Sequence, residues 1–392
     1  MRYIQADKIV TFTNGTIDNG IIEVDDKGVI QHIFSTNPDP CNIPIEKYSG
    51  TIVPGFINTH CHLELSHLKG KLPEKTGLHQ FIKNIEQLRH IDEDEILEGI
   101  RLGENEMIEN GIVAVGDISN NHLTFSQKAK RNLYYHTFLE VFAFHPKRAH
   151  VVFAKGLHLL ESYKQIVGDN HVSITPHAPY SASEELLKNI AHFAEDNHSI
   201  LTIHNQENEE EDKFFFNKTG KFAEHMEHFG IDISEWTPPN TTSFKHILNQ
   251  LKFNKRMLFV HNTNTSIDDI EFSKKYSDLY WCFCPNANLF IEDKLPNIPD
   301  FVKNNCKITL GTDSLASNHG LSIWSEIVSI HSCFPDLPLE ELIKWATLNG
   351  AQFLGIDHQF GSIEKGKKPG LICLENLIDF HNFKNIRINR IL

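Results

Sequence analysis

No apolar stretch of about 18 residues, the length a helix needs to cross a bilayer, occurs anywhere in the 392-residue chain. The opening MRYIQADKIVTFTNG carries no continuous apolar core of the signal-peptide kind, so the chain is expected to stay in the cytosol. Cysteine is sparse: seven residues, an odd number with no C-x-x-C pair, do not make a disulfide framework. Cys282 and Cys284 alternate within an apolar run and read as strand residues rather than ligands. Basic residues are outnumbered, 37 against 51 acidic, and the net charge of −14 argues against nucleic acid or an anionic membrane as the main partner. Internal repeats, low-complexity tracts and long charge blocks are also missing.

What is present is ordinary globular material. With 40% hydrophobic and 22% charged residues, the chain can bury a large core. It is long enough for two domains, or for one barrel of about 250 residues with additions. The first fifty residues alternate short β-like runs (Lys8 to Phe12, Gly20 to Val24, Val29 to Phe34) with Asn-Gly, Asp-Asn-Gly and Asp-Lys-Gly turns, the mark of hairpins. The same style returns at Gly361-Ser362-Ile363 and from Pro369 to Leu374. Residues 1–50 and 356–392 are therefore expected to form one small β-sandwich domain from both termini.

Between them, short apolar runs alternate with longer amphipathic stretches such as Glu93 to Asn110 and Glu184 to Asn197, the pattern of βα units. Eight candidate strands follow in order: Ile52 to Ile57, Ile112 to Asp117, Tyr134 to Phe142, Val172 to Pro176, Ile200 to His204, Met257 to His261, Tyr280 to Cys284, and Lys307 to Thr312. Eight such units predict an α/β fold, a closed (β/α)8 TIM barrel over residues 51–355. Two connections, Glu64 to about His90 and Gln206 to Phe253, are long enough to read as lids.

Polar residues at strand ends carry the chemistry. His60 and His62 flank Cys61, and a spacing of two puts both imidazoles on one face of an extended chain. His204, His261 and Asp313 each follow an apolar run at the end of another strand. Barrel active sites are built at those ends, because they converge on one mouth. Three neutral imidazoles and one carboxylate suit Zn²⁺ or Fe²⁺ and leave a position for water. Lowering the pKa of water from 15.7 to about 7 makes hydroxide about 12 kcal/mol easier to form, beyond the reach of any side chain here. Asp313 can take the water proton or orient the nucleophile, and His261 can polarise it. Glu207, three residues past His204, either shuttles protons at the mouth or opens a solvated acidic run with Glu209, Glu210, Glu211 and Asp212.

With those residues in place, the chain resembles the amidohydrolase superfamily nearly end to end. The resemblance is carried by Pro54 to His62 (PGFINTHCH), His204-Asn205-Gln206-Glu207, Val260-His261-Asn262, Gly311-Thr312-Asp313-Ser314, Ala346 to Ala351 and Gly361 to Gly366. It implies the mononuclear, triazine-hydrolase-like branch of N-heterocycle deaminases, with one divalent metal, zinc before iron, on His60, His62, His204 and Asp313. The strand-four segment Val172 to His177 has no lysine to bridge a second metal. The resemblance also implies that Glu207 protonates a ring nitrogen and that His261 assists the water. His177 in His177-Ala178-Pro179-Tyr180-Ser181 becomes a substrate contact, with Glu64, Glu140 and Ser314 as further candidates.

His62 to Ser66, Ile118 to His122, Phe138-Leu139-Glu140 and Cys284 to Asn288 look most like the aminodeoxyfutalosine deaminases. Methylthioadenosine/adenosylhomocysteine deaminases are an alternative, although His79-Gln80-Phe81 lacks their Glu-Glu-Trp. Guanine-type deaminases and triazine chlorohydrolases are others. A non-catalytic metal-binding homologue is disfavoured because every ligand is present. The expected partner is a small heterocycle; a homodimer is left open. Aromatics of the second long connection (Phe214, Phe215, Phe216, Phe222, Phe229 and Trp236) either pack on the barrel or close over a flat substrate.

Overall fold

The computed structural model describes every residue except 37–43, 89–91, 169–170, 229, 253–255 and 378–385, so Phe229, His90 and Phe253 lie outside the described residues. The chain divides into two compact units. One comprises Met1–Thr59, Glu104–Val115 and Ser322–Leu392; the other comprises His60–Gly103 and Gly116–Leu321.

The first unit contains a seven-stranded mixed sheet. It is built from β1 (Arg2–Val10), β2 (Thr16–Asp18), β3 (Ile21–Val24), β4 (Ile30–Phe34) and β5 (Ile45–Pro54), joined by two strands near the chain's far end, Leu371–Glu375 and Arg387–Arg390. Both ends of the chain thus contribute to one sheet. Turn chemistry explains the hairpins: Gly15, Asn19 and Gly28 all sit at positive φ, where the Asn-Gly and Asp-x-Gly signals place them. Ile4, Ile9, Ile22, Val24, Ile52 and Leu371 form the buried core of this sheet.

Eight further strands follow: β6 (Phe56–Cys61), β7 (Ile112–Ser119), β8 (Tyr134–Val141), β9 (Val172–Pro176), β10 (Leu201–Asn205), β11 (Met257–His261), β12 (Leu279–Phe283) and β13 (Lys307–Leu310). They form two four-stranded sheets in chain order, β6 to β9 and β10 to β13. β8 with β9, and β10 through β13, pair in parallel. Helices separate the strands, including Glu93–Glu109 and Glu184–Asp196, the latter started by Ser183 Oγ accepting from Leu186 N. Hydrogen bonds also link the two sheets at their ends: His204 N donates to His177 O (3.0 Å) and Asp313 N to His60 O (3.1 Å).

One strand differs from expectation. The run Ile52 to Ile57 is not a single strand: it closes β5 of the first sheet, breaks at Gly55 and opens β6. A fully buried strand has no polar alternation, so its sequence does not say which sheet it joins.

Candidate active site

His60 lies in β6 and His62 one residue past it; His204 and His261 sit at the C-terminal ends of β10 and β11; Asp313 follows β13. All five are buried. The Nε2 atoms of His62 and His204 face each other at 3.2 Å. Asp313 Oδ1 is 3.6 Å from the Nε2 atoms of both His60 and His62. Two sets, His60–His62–Asp313 and His60–His204–His261, each bring their ligand atoms within 4.8 Å of one another. The approach of β13 to β6 that makes this possible needs Gly311, where a Cβ would stand 2.8 Å from that of His60.

The donor set fits a divalent cation. Both ring nitrogens of His60 are buried without a hydrogen-bond partner. Two imidazole nitrogens at 3.2 Å require a proton or a cation between them. Burial, then the neighbouring His60, drives the pKa of His62 down to about 3; burial is also the main cause that lowers His204 and His261. Neutral imidazole is the form that ligates. Burial would raise Asp313, but His60, His62 and His261 outweigh it and hold this carboxyl far below the usual range. His204 is oriented through Nδ1, which donates to His177 O at 2.8 Å. Ser317 Oγ donates to Asp313 Oδ2 at 2.7 Å.

Glu207 is only 5% exposed, so it does not belong to a solvated run. Its Oε2 lies 3.7 Å from His261 Nε2. Burial, aided by the charge of Asp313, pushes its pKa well above the ordinary carboxylate value. Of the acids that follow, Glu209 is exposed and Glu211 is buried. Four residues at these strand ends take left-handed backbone: Gln206 (φ 42°), His261 (73°), Asn262 (58°) and Asp313 (56°). The turns aim Glu207, His261 and Asp313 into one cavity of about 400 Å³.

The cavity brings His177, Glu64, Glu140 and Ser314 together with His62, His204, Glu207, His261 and Asp313. His60 lies beneath it, against the other imidazoles. Asn120 ties two of the acids together, its N donating to Glu64 Oε2 (3.1 Å) and its Nδ2 to Glu140 Oε2 (3.2 Å). His177 Nδ1 lies 2.9 Å from Ser181 Oγ. The helix Leu78–Leu88 turns Leu78, Phe81, Ile82 and Ile85, spaced i, i+3, i+4, i+7, toward the cavity as one apolar face.

The sequence pattern of the amidohydrolase family matches residues 51–389. The chain belongs to the amidohydrolase family. It is 26% identical over 398 aligned residues to 5-methylthioadenosine/S-adenosylhomocysteine deaminase of Bacillus cytotoxicus, covering 95% of this chain and 85% of that one. In fold it is similar to Helicobacter pylori aminofutalosine deaminase, solved with methylthio-coformycin (TM-score 0.81, 21% identity, 96% of this chain and 92% of that one). It is also similar in fold to an adenosine deaminase from Xanthomonas campestris with bound zinc (TM-score 0.74, 19% identity, 95% and 84%). No helix among the described residues is long and apolar enough to cross a membrane.

This amidohydrolase also uses residues that the sequence did not single out. Asn288 Oδ1 accepts from His261 Nδ1 at 2.8 Å, a partner five residues past the end of β12. Asp117 Oδ1 accepts from Leu63 N (2.9 Å), fixing the chain just beyond His62, while Oδ2 meets the fully buried Lys128 at 2.6 Å. Of the aromatics in the second long connection, Phe214, Phe215 and Phe222 are buried with Trp236 packed against them, while Phe216 is exposed. Phe214 stacks on Trp236 (4.5 Å, 8°) and Phe222 on Tyr180 (4.1 Å, 29°). Neither Phe214, Phe215, Phe216, Phe222 nor Trp236 lines the cavity; that segment contributes Met226 and Ile231 instead.

Proposed function

We propose that the chain is a cytosolic, mononuclear deaminase that replaces the exocyclic amine of an adenine nucleoside derivative by oxygen, an aminodeoxyfutalosine-type substrate fitting the resemblance best. One observation carries the reading: the buried Glu207 carboxylate stands 3.7 Å from His261 Nε2, in the same cavity that His62, His204 and Asp313 line. Relatives named as deaminases of methylthioadenosine and adenosylhomocysteine support the substrate class. In this reading the eight strands β6 to β13 close into a (β/α)8 barrel over residues 51–355, with a small β sandwich from 1–50 and 356–392. The hydrogen bonds from His204 N to His177 O and from Asp313 N to His60 O support closure.

His60, His62, His204 and Asp313 would hold one divalent cation, zinc before iron, which would supply a nucleophile at neutral pH by lowering the pKa of water. The residues do the rest. Glu207, whose protonated form burial favours, gives its proton to the ring nitrogen beside the attacked carbon, which makes that carbon more electrophilic. His261, its Nδ1 committed to Asn288, presents Nε2 to the attacking water. Asp313 accepts the water proton. A C–O bond forms, the C–N bond breaks, ammonia leaves with that proton, and the hydroxyl proton left on the product passes to Glu207 as the carbonyl forms. His177, Glu64, Glu140 and Ser314 orient the nucleoside, and the apolar face of Leu78–Leu88 excludes water.

Incubation with adenine nucleosides should convert the adenine chromophore to that of hypoxanthine with equal release of ammonia. About one equivalent of metal should co-purify. Turnover of guanine, pterins or chlorotriazines, with adenine nucleosides untouched, would replace this substrate class; two metals per chain would overturn the mononuclear assignment.

A further inference from the structure

The helix Pro285–Glu292 follows β12 and carries Asn288, which orients His261. One turn on, at its last residue, is Glu292. Its Oε1 accepts from two segments far apart in sequence: Leu78 N (2.5 Å), at the start of the helix Leu78–Leu88, and Asn208 Nδ2 (2.7 Å). Asn208 is the residue after Glu207, and its own Oδ1 accepts from Glu210 N (2.6 Å) to cap the helix Glu209–Asn217. The first segment is docked further by Gly77 N donating to Ile291 O (2.9 Å), in a turn where Gly77 takes φ 79°.

We infer that Glu292 is a positioning residue, a clasp by which one carboxylate holds the helix start within the first long connection and the beginning of the second, and couples the apolar wall of the cavity to the placement of Glu207. Glu292 is bonded both to the first residue of the wall on Leu78–Leu88 and to the residue next to Glu207. Each of its hydrogen bonds is charge-assisted, the stronger kind. Opening one segment leaves a half-buried carboxylate with one donor fewer, so the second is loosened as well. Asn288 and Glu292 lie four residues apart on one helix face, so the element that orients His261 also sets the two connections.

The test is hydrogen exchange on metal-loaded full-length protein, comparing wild type with Glu292→Gln and Glu292→Ala. Peptides spanning residues 77–88 and 208–217 should both exchange faster in Glu292→Ala, by about tenfold or more, the scale of a lost charge-assisted hydrogen bond. Glu292→Gln, which keeps an acceptor without the charge, should fall between it and wild type. Metal content should stay the same. Acceleration in only one of the two peptides, or in neither, overturns the clasp. If Glu292→Ala does not fold, Glu292→Gln decides by the same two peptides. The kinetic arm rests on the proposed function: with an adenine nucleoside, KM should rise and kcat fall together. A failure of that substrate class leaves the exchange result standing, so the two failures are distinguishable.

Discussion

His261 Nδ1 and Asn288 Oδ1 lie 2.8 Å apart, and because the amide oxygen can only accept, the ring proton sits on Nδ1. The lone pair on Nε2 is thereby turned toward Glu207 and the cavity. Asn288→Ala removes that restraint and should lower kcat by about tenfold or more, with metal content unchanged. Asn288→Asp, which still accepts, should recover most of the loss. Equal activity of Asn288→Ala and wild type would show that the tautomer is set elsewhere.

Glu207→Gln keeps the size of the side chain and removes its proton chemistry. Metal content should be unaffected and turnover should drop by at least about 10²-fold. Steady-state kinetics beside elemental analysis separate the two; unchanged turnover removes Glu207 from the reaction.

The two long connections call for opposite mutational outcomes. Phe214, fully buried and stacked on Trp236, should cost about 3–5 kcal/mol of stability when replaced by Ala, with KM unmoved. Ile85→Ala, in the cavity wall, should raise KM for the nucleoside with little loss of stability. Thermal melting and initial rates on the same samples check both, and a raised KM in Phe214→Ala would return that ring to the substrate.

Glu211 is buried, and burial pushes its carboxyl up to about 8, with a smaller push from Asp212. The folded state then holds a proton that the unfolded chain gives up near its ordinary value. Stability should fall as pH rises from about 5 to 8, by up to about 1.4 kcal/mol per pH unit from this group. Glu211→Gln cannot titrate and should flatten that slope in urea denaturation at pH 5.5 and 7.5. An identical slope in the variant would show that Glu211 is ionised in the fold.

Most of this candidate site is legible in the sequence, because polar residues at strand ends announce themselves. His204, His261 and Asp313 each close an apolar run, and His60 and His62 share a face by spacing alone. What stayed hidden are the side chains whose partners are remote. Asn288 meets His261 across 27 residues, and Asp117 meets Leu63 across 54. No local pattern distinguishes such an Asn or Asp from a turn residue. The aromatics near Phe214 were ambiguous for another reason: a ring that stacks on a heterocycle and one that stacks on Trp236 have the same composition. The division of Ile52 to Ile57 between two sheets was masked by uniform burial, and Gly55 was its only outward mark.

The left-handed backbone at Gln206, His261, Asn262 and Asp313 has an evolutionary reading. Each such residue costs on the order of 1–2 kcal/mol relative to one that accepts this conformation freely, and glycine is the one that does. Glycine at His261 or Asp313 would relax the strand end and delete the functional group in the same stroke. Selection for a more durable protein therefore pulls these positions one way, and selection for chemistry pulls them the other. Gln206 and Asn262 offer no relief either: Gln206 Nε2 donates to Asp212 and Asp269, and Asn262 Nδ2 to the Phe259 and Cys282 carbonyls, so glycine there would ease the backbone only by giving up buried hydrogen bonds.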